Sequence, residues 1–457
     1  MPSRFCTSAS NGQPYFLGSS SNWSFSRQVL SVTHEHVCQS PLPTNSLLFD
    51  GCAYDLGWNG SRTAQTLDSR PIPSYDYAIF LINAVKFHCG QMFHLFEEDE
   101  FMDNMQTFYS KSSTDRAEED TLWFIHFLVV LSFGKSLIQR KNQGKRPSGA
   151  EFFVRALQLI PDVTALCKQP IMSTEILCCI AWYYQALDFR HAAHNFIGQA
   201  KSIAMNYGMH TDMPIMDLGP GLVQRCRKIW WTVYVLDRQM TSLMGLPQST
   251  LDEGVYCQLP SYPGSAHRTA ALSMQIKFAR IIAEISSTVY GANGRLNKKF
   301  VLSTKTVLQS IVAVADELRN SFPLHADERF DESQSPWLEK SNNILEEMIA
   351  SGNLIAEFRK NEMQQLGEML VEFEATRPRA LSGFVTAPAG SSWQHTNTGP
   401  PRSVQVDKDS LPGYRVLPKD NSGQAEDLTT QQIIDVVNSL EWEDNEWMSL
   451  TMIEEET

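Results

Sequence analysis

The 457-residue sequence lacks any pair of cysteines spaced C-x-x-C, although it contains nine cysteines. Several of the nine lie among apolar residues, where a reduced thiol packs as a small hydrophobic group. The sequence also lacks a basic N-terminal segment followed by an apolar run, which is the pattern of a secretory signal. Scattered cysteines without a secretory signal argue against a disulfide framework. We therefore expect a soluble intracellular protein with reduced thiols.

Long hydrophobic runs are also missing. The longest, residues 122–133, is interrupted by His126, whereas a helix that spans a bilayer needs roughly 20 apolar residues. The sequence contains no glycine-rich phosphate loop, no nucleophile elbow and no H-E-x-x-H motif. We therefore predict no membrane segment, no catalytic residue, no cofactor and no metal site.

Lysine and arginine are absent from residue 421 to the C-terminus, and ten acidic residues lie there. This stretch carries −10 of the formal net charge of −13, so the rest of the chain is close to neutral. A negative chain has the wrong sign to neutralise phosphates, and no DNA-binding residue is predicted. The acidity is a property of the C-terminal end.

Strand-type alternation is rare, and apolar residues recur instead with helical spacing. Residues 222–244 are the clearest case, because their apolar positions are spaced 4, 3, 4 and 3: Ile229, Val233, Leu236, Met240 and Leu243. We predict an all-α fold, an irregular multi-helix bundle with a disordered N-terminal segment and a disordered C-terminal tail.

Composition divides the chain into four regions. Residues 1–72 are rich in Ser, Asn, Gly and Pro, and are predicted to be disordered. Residues 73–375 carry the helical periodicity. Residues 376–425 are dominated by Gly, Pro, Ser and Thr and are predicted to be a linker. Residues 426–457 combine acidic with bulky apolar side chains.

Residues 225–260 carry a distinctive pattern: RCRKIWWTVYVLDR at 225–238, MGLP at 244–247, LDE at 251–253 and QLP at 258–260. It resembles the signature of the fungal transcription factor regulatory domain. That signature has a basic start, an aromatic pair and Leu-Asp-Arg, followed by Gly-x-Pro and an acidic loop ending in Leu-Pro. Three further stretches are similar to the family in the same order: 73–101, 185–210, and 271–290 with 315–324.

The sequence departs from the family pattern in two places. Members usually carry an N-terminal six-cysteine cluster that binds two zinc ions and reads DNA, but residues 1–70 hold only Cys6, Cys38 and Cys52. Three thiolates cannot give two zinc ions four ligands each. We therefore expect this polypeptide to lack the cluster and its direct DNA contact. The second departure is at residues 325–336, where an acidic polar stretch suggests an internal deletion.

The resemblance implies a nuclear regulator of RNA polymerase II transcription, of the kind that controls metabolic or secondary-metabolite pathways. It leaves open a homodimer, a heterodimer with a DNA-binding regulator, and a small-molecule effector. Two interpretations apply to the centre of the signature: Trp230, Trp231, Tyr234, Asp237 and Arg238. They form either the wall of an effector pocket or part of the core, where a buried Asp and Arg need polar partners.

The acidic end is predicted to be an activation segment that contacts the transcription machinery or a coactivator. Its apolar side chains include Leu440, Trp442, Trp447, Met448 and Leu450. The acidic residues keep such a segment solvated, while the aromatic side chains can dock in a partner's groove. The alternative is that the two tryptophans pack back on the helical region.

A short basic stretch, with Arg140, Lys141, Lys145 and Arg146, is either a nuclear import signal or a solvated loop between helices. Two other functions are open. A helical scaffold without a transcriptional role would favour a fixed repeat period, and none is present. A magnesium-dependent isoprenoid enzyme could use the carboxylates of residues 97–103. No second acidic motif follows, and we expect that stretch to be a solvated loop.

Overall fold

The computed structural model describes residues 5–7, 14–16, 18–42, 53–60, 72–111, 122–139, 142, 144–289, 298–321 and 337–376. Fourteen α-helices make up most of this described part of the chain. They are α1 (Asn22–Cys38), α2 (Tyr75–His88), α3 (Glu98–Ser110), α4 (Leu122–Ile138), α5 (Ala150–Leu159), α6 (Val163–Leu166) and α7 (Pro170–Ala186). The rest are α8 (Arg190–Asn206), α9 (Ile215–Leu218), α10 (Pro220–Met244), α11 (Ala266–Glu284), α12 (Lys298–Ser321), α13 (Trp337–Ala350) and α14 (Leu354–Thr376). The all-α prediction is confirmed.

Four short elements complete the described secondary structure. A 3-10 turn covers Asp252–Gly254, and a π-helical turn, Ile285–Val289, follows α11. Strands β1 (Phe5–Thr7) and β2 (Pro14–Phe16) pair antiparallel, with Phe5 opposite Phe16.

Helix α4 lies at the centre of the main core, because every residue from Trp123 to Gly134 is buried. A helix that is apolar on all sides has to be covered on all sides. Helices α2, α3, α5 and α7 pack against it. Gly134 permits the close approach of α2, since a Cβ atom there would lie 2.5 Å from the Leu81 carbonyl oxygen.

Helices α7 and α8 pack against each other as a helical hairpin. Asp188 makes the turn with a positive φ of 61°, a conformation that aspartate tolerates better than most residues. Its carboxylate accepts a hydrogen bond of 2.8 Å from Arg190 Nε. Helix α10 packs across both helices of this hairpin, and so the sequence signature lies at the centre of the fold.

Two further helix pairs follow α10. Helix α11 packs on α10 and pairs with α12 around a small separate core of Met274, Ile281, Val307 and Val314. Helices α13 and α14 form the last pair, joined by a turn in which Gly352 has a φ of 86°. We call the described residues from 72 to 376 the helical body.

The structure differs from the expected disorder in two described parts of residues 1–72, at 18–42 and 53–60. Helix α1 packs against α10 and α14, with Trp23 and Leu30 buried. In residues 53–60, Tyr54 and Leu56 belong to the main core, and the Tyr54 hydroxyl accepts a hydrogen bond of 3.1 Å from the Leu354 amide. The prediction failed because it averaged composition, whereas a few isolated apolar residues supply enough burial to hold a segment in place.

The structure also corrects the interpretation of residues 97–103 as a loop. They begin helix α3, with Glu98, Asp99 and Glu100 in its first turn. Carboxylates are favourable there because the amino end of a helix carries a partial positive charge. The acidic run is therefore a helix-start signal.

Several sequence-based predictions concern residues outside the described part: the linker, the acidic tail, the suggested deletion at 325–336, and Arg140 and Lys141 of the basic stretch. Within the described residues, no helix is long and apolar enough to cross a membrane.

Candidate functional site

Helix α10 carries the sequence signature from Arg225 to Arg238. It begins with Pro220 at its first position, where the missing N–H is not needed, and ends at Gly245, which adopts the left-handed conformation with a φ of 65°. Every residue from Ile229 to Arg238 is buried, so α10 is a core element along its middle turns.

The five residues singled out in the signature are all buried, with exposed fractions of 1–4%: Trp230, Trp231, Tyr234, Asp237 and Arg238. Internal contacts engage all five. The arrangement fits the expectation that a buried Asp and Arg must be paired. The effector-pocket interpretation stays a prediction.

Arg238 and Tyr234 hold the acidic loop, which we define as residues 251–260. Both contact Asp252: Arg238 through a guanidinium ion pair, and the Tyr234 hydroxyl through a donated hydrogen bond of 2.6 Å. The Arg238 guanidinium also stacks 4.6 Å from the centre of the Tyr234 ring. Burial and the hydrogen bond to Asp252 raise the pKa of Tyr234 to about 12. The tyrosine therefore stays protonated and donates.

Asp237 joins α10 to α8. Both of its carboxylate oxygens lie 3.0 Å from Lys201 Nζ, and Lys201 also donates to the Ser249 hydroxyl. The carboxylate is 4% exposed and the lysine side chain 15%. A buried ion pair of this kind fixes the register of two packed helices more than it adds stability.

The two tryptophans anchor the segments on either side of α10. Trp231 donates from its indole nitrogen to the Gln258 carbonyl oxygen at 3.0 Å. Trp230 packs against His210, with ring centres 5.6 Å apart. The His210 carbonyl oxygen in turn accepts hydrogen bonds from the amides of Tyr256 and Cys257. The signature therefore organises both the segment before α9 and the acidic loop.

A second polar cluster, which sequence reasoning missed, lies at the start of the signature. Glu175 of α7 is 1% exposed and accepts hydrogen bonds from three nitrogens: His94 Nε2 at 2.8 Å, Arg225 Nε at 2.9 Å and Arg225 Nη2 at 2.8 Å. Burial acts to raise its pKa, but the hydrogen bonds from His94 and Arg225 outweigh it and hold the pKa at about 2. Glu175 is therefore ionised inside the core.

The basic start of the signature also meets the acidic start of α3. Arg225 forms an ion pair with Glu100, and Lys228 Nζ lies 3.2 Å from Glu97. The His94 amide donates to the Thr232 hydroxyl at 3.1 Å. The acidic run of residues 97–103 thus takes part in ion pairs with α10. This explains the basic residues at the start of the signature.

The buried thiols of α7 and the buried His126 ring of α4 are uncharged at neutral pH. Burial raises the pKa of the thiols of Cys178 and Cys179 well above the usual value, so neither is a thiolate at neutral pH. Burial lowers the pKa of His126 to about 4, which keeps its ring neutral beside the Leu95 carbonyl oxygen. Among the described residues, no group of three or more His, Cys, Asp or Glu side chains could hold a metal ion.

Comparison with protein families gives this geometry a context. A model of the fungal specific transcription factor domain matches residues 79–347, which is more than half of the chain and includes helices α2–α12 almost completely. The chain belongs to this family. The resemblance noted in the sequence is therefore confirmed, and the matched region contains the buried helix α10 and the acidic loop that follows it.

Curated relatives of this fungal family are regulators by name. The chain is 24% identical over 260 residues to an uncharacterized transcriptional regulatory protein of Schizosaccharomyces pombe, covering 55% of this chain and 32% of that protein. It is 21% identical over 299 residues to the transcriptional activator protein acu-15 of Neurospora crassa, covering 62% and 31%. An ABC-transporter-regulating transcription factor of Aspergillus oryzae is 22% identical over 195 residues, covering 42% and 21%.

The aligned region thus spans about a third or less of the length of these relatives. No solved structure matches the chain. What the comparisons establish is membership of a family of fungal transcription regulators.

Proposed function

We propose that this protein is a nuclear regulator of RNA polymerase II transcription in a fungus, in which the helical body is the regulatory part and residues 426–457 recruit a coactivator. The observation that carries the proposal is the family match over residues 79–347, which centres on the buried helix α10. Relatives named as a transcriptional activator and as a transporter-regulating factor support it. The target genes and any dimer partner stay predictions.

The role of the acidic end is proposed from its sequence. Residues 426–457 carry ten acidic side chains and no lysine or arginine, with Trp442 and Trp447 among them. Such a segment docks its aromatic side chains in a partner's groove and becomes ordered on binding. Recruitment should therefore depend on the tryptophans rather than on charge alone.

We expect residues 421–457, fused to an unrelated DNA-binding domain, to activate a reporter gene in yeast. Replacing both Trp442 and Trp447 with alanine should reduce the output about tenfold, because aromatic anchors carry most of the affinity of such contacts. A matched control replaces the polar Asn438 and Ser439 with alanine. An inactive fusion, or equal loss in the tryptophan and control variants, would remove the activation role and favour a helical interaction protein.

The import signal is proposed for the basic stretch at residues 140–146. Lys145 is exposed, Arg146 is half-buried, and the Lys145 carbonyl oxygen accepts a hydrogen bond of 2.9 Å from the Asp55 amide. Alanine at both positions keeps that backbone contact and removes two positive charges.

With a fluorescent fusion of the full chain, the Lys145→Ala/Arg146→Ala variant should lower the nuclear-to-cytoplasmic ratio roughly threefold, since import receptors bind clustered positive charge. Arg359→Ala/Lys360→Ala on α14 removes the same charge elsewhere and should leave the ratio unchanged. A ratio that falls equally in both variants would contradict the proposed signal.

A further inference from the structure

Five exposed apolar side chains lie in two segments beside the first half of α10. Met216 is 96% exposed and Tyr256 69%. The other three are between 39% and 44% exposed. We call this set the apolar surface: Ile215, Met216, Leu218, Tyr256 and Leu259. Exposed apolar side chains that occur singly are ordinary, but several that share one region mark interaction sites.

Hydrogen bonds hold the two segments side by side. The His210 carbonyl oxygen accepts from the amides of Tyr256 at 2.9 Å and Cys257 at 3.0 Å. Asp212 Oδ2 accepts from Gln258 Nε2 at 3.1 Å. The segment that leads into α9 therefore lies directly beside the acidic loop.

Both segments are also fixed to the buried signature helix. Arg227 Nη2 lies 3.1 Å from Asp212 Oδ1, and the Trp231 indole nitrogen donates to the Gln258 carbonyl oxygen. Gln224 Oε1 accepts from the Ser261 amide at 2.8 Å. A surface held in place before binding loses little conformational entropy when a partner docks, so the apolar surface is prepared for a contact.

Charge indicates what kind of partner fits. Residues 210–219 and 251–264 contain four carboxylates and neither lysine nor arginine. Asp212 pairs with Arg227, and Asp252 pairs with Arg238 and, at 3.8 Å, with Arg280. The exposed carboxylates of Asp217 and Glu253 have no ion-pair partner among the described residues. The apolar surface therefore has a negative rim.

We propose that the apolar surface is a docking site for a basic amphipathic segment of another protein. Its apolar face would cover Met216 and Tyr256, while its lysine or arginine side chains would meet Asp217 and Glu253. A second copy of this chain fits poorly, because a two-fold contact would bring each negative rim against the other. The acidic residues 426–457 are unsuitable for the same reason.

Direct binding to the full chain tests the proposal. The probe is a fluorescent peptide of about 18 residues, with leucine on one helical face and lysine on the other. The matched peptide has glutamate in place of each lysine. We expect the lysine peptide to bind in roughly the micromolar range and the glutamate peptide at least about tenfold more weakly. Equal binding of the two peptides, or no binding of either, would overturn the proposal.

Two pairs of variants locate the site. Met216→Ser/Tyr256→Ser should weaken binding of the lysine peptide about tenfold, because apolar anchors supply most of the affinity. Asp217→Lys/Glu253→Lys should weaken it by a similar factor and reduce its salt dependence. The matched control is Phe80→Ser/Phe87→Ser, which changes two exposed apolar side chains on α2. Loss in this control, or a dimer that Met216→Ser dissociates in sedimentation, would contradict the assignment.

Discussion

Replacing Glu175 with glutamine should lower the free energy of unfolding of the helical body by about 3–5 kcal/mol, because the change removes one partner of a buried ion pair. Arg225 would keep only its exposed partner Glu100, and His94 Nε2 would face a neutral amide. The loss should be measured by urea unfolding of the full chain, followed by the helical circular dichroism signal.

The control for this prediction is Glu98→Gln on α3. Glu98 is 55% exposed and pairs with Lys86 at the surface, and such pairs contribute at most about 1 kcal/mol. Equal destabilisation in the two variants would show that Glu175 does not hold α7, α10 and the His94 segment together. A large loss in Glu175→Gln alone would support that role.

The pH dependence of the Glu175 effect follows from its pKa. The folded value of about 2 lies below the ordinary value of 4.5, so the ionised carboxylate stabilises the fold above pH 4.5. That contribution is lost as the pH falls from 4.5 to 2. The difference between the wild type and Glu175→Gln should therefore shrink as the pH falls from 4.5 to 2. A difference that grows over this range would contradict the assignment.

His126 adds an acid dependence in a higher pH range, and this dependence differs between the two proteins because the Glu175 charge acts to raise the pKa of His126. Its folded pKa of about 4 lies below the ordinary 6.5 because it is buried. The unfolded chain therefore takes up a proton at a pH where the folded chain does not, and stability falls as the pH decreases from 6.5 to 4. This window lies almost entirely above that of Glu175, so the two effects can be separated.

The partners of Glu175 could not be predicted from the sequence. The periodicity of α10 predicted its helix, its buried face and its end at Gly245, because each depends on residues within one helix. The partners of Glu175 are 50 and 81 residues away in the chain. In sequence, Glu175 is a single acid in an apolar helix, and only the packing of α7 against α10 brings Arg225 to it.

The acidic residues 97–103 and the segment around Trp23 were misjudged for a related reason. The predictions averaged charge and composition over a stretch of sequence, although the effect of a residue depends on its position within a helix. A carboxylate in the first turn of a helix is favourable, and one buried tryptophan can anchor a polar segment. The three acidic residues at the start of α3 are a helix-start signal in the sequence that predicts this helix. No local signal indicated that α1 packs on α14.

We expect the second large loss of stability from changes at the contact between the residues before α1 and the end of α10. The Gly18 amide donates to the Met244 carbonyl oxygen at 2.9 Å. A Cβ atom on Gly18 would lie 1.7 Å from the Gly245 carbonyl oxygen, and one on Gly245 would lie 2.6 Å from the Gly18 carbonyl oxygen. Two backbones are in direct contact here, so no side chain fits at either glycine.

Gly18→Ala should therefore release α1 from the helical body. Burial of Trp23 and Leu30, each worth roughly 1.5–3 kcal/mol, would be lost. We expect hydrogen exchange of the α1 amides to become at least about 100-fold faster, because a loss of 1.4 kcal/mol corresponds to a factor of ten. Exchange in α4 should remain slow, since α4 belongs to the main core.

Matched glycines separate the steric clash from other effects of alanine. Gly198 in α8 has open space where a Cβ atom would be, and Gly208 after α8 shares the positive φ of Gly245 with only an ordinary contact of 3.7 Å to the Thr211 hydroxyl. Gly198→Ala should leave α1 protected. Gly208→Ala reproduces only the backbone strain, about 1–2 kcal/mol, so Gly245→Ala should exceed it and also expose α1. If α1 stays protected in both Gly18→Ala and Gly245→Ala, the contact between these backbones does not hold α1 on the helical body.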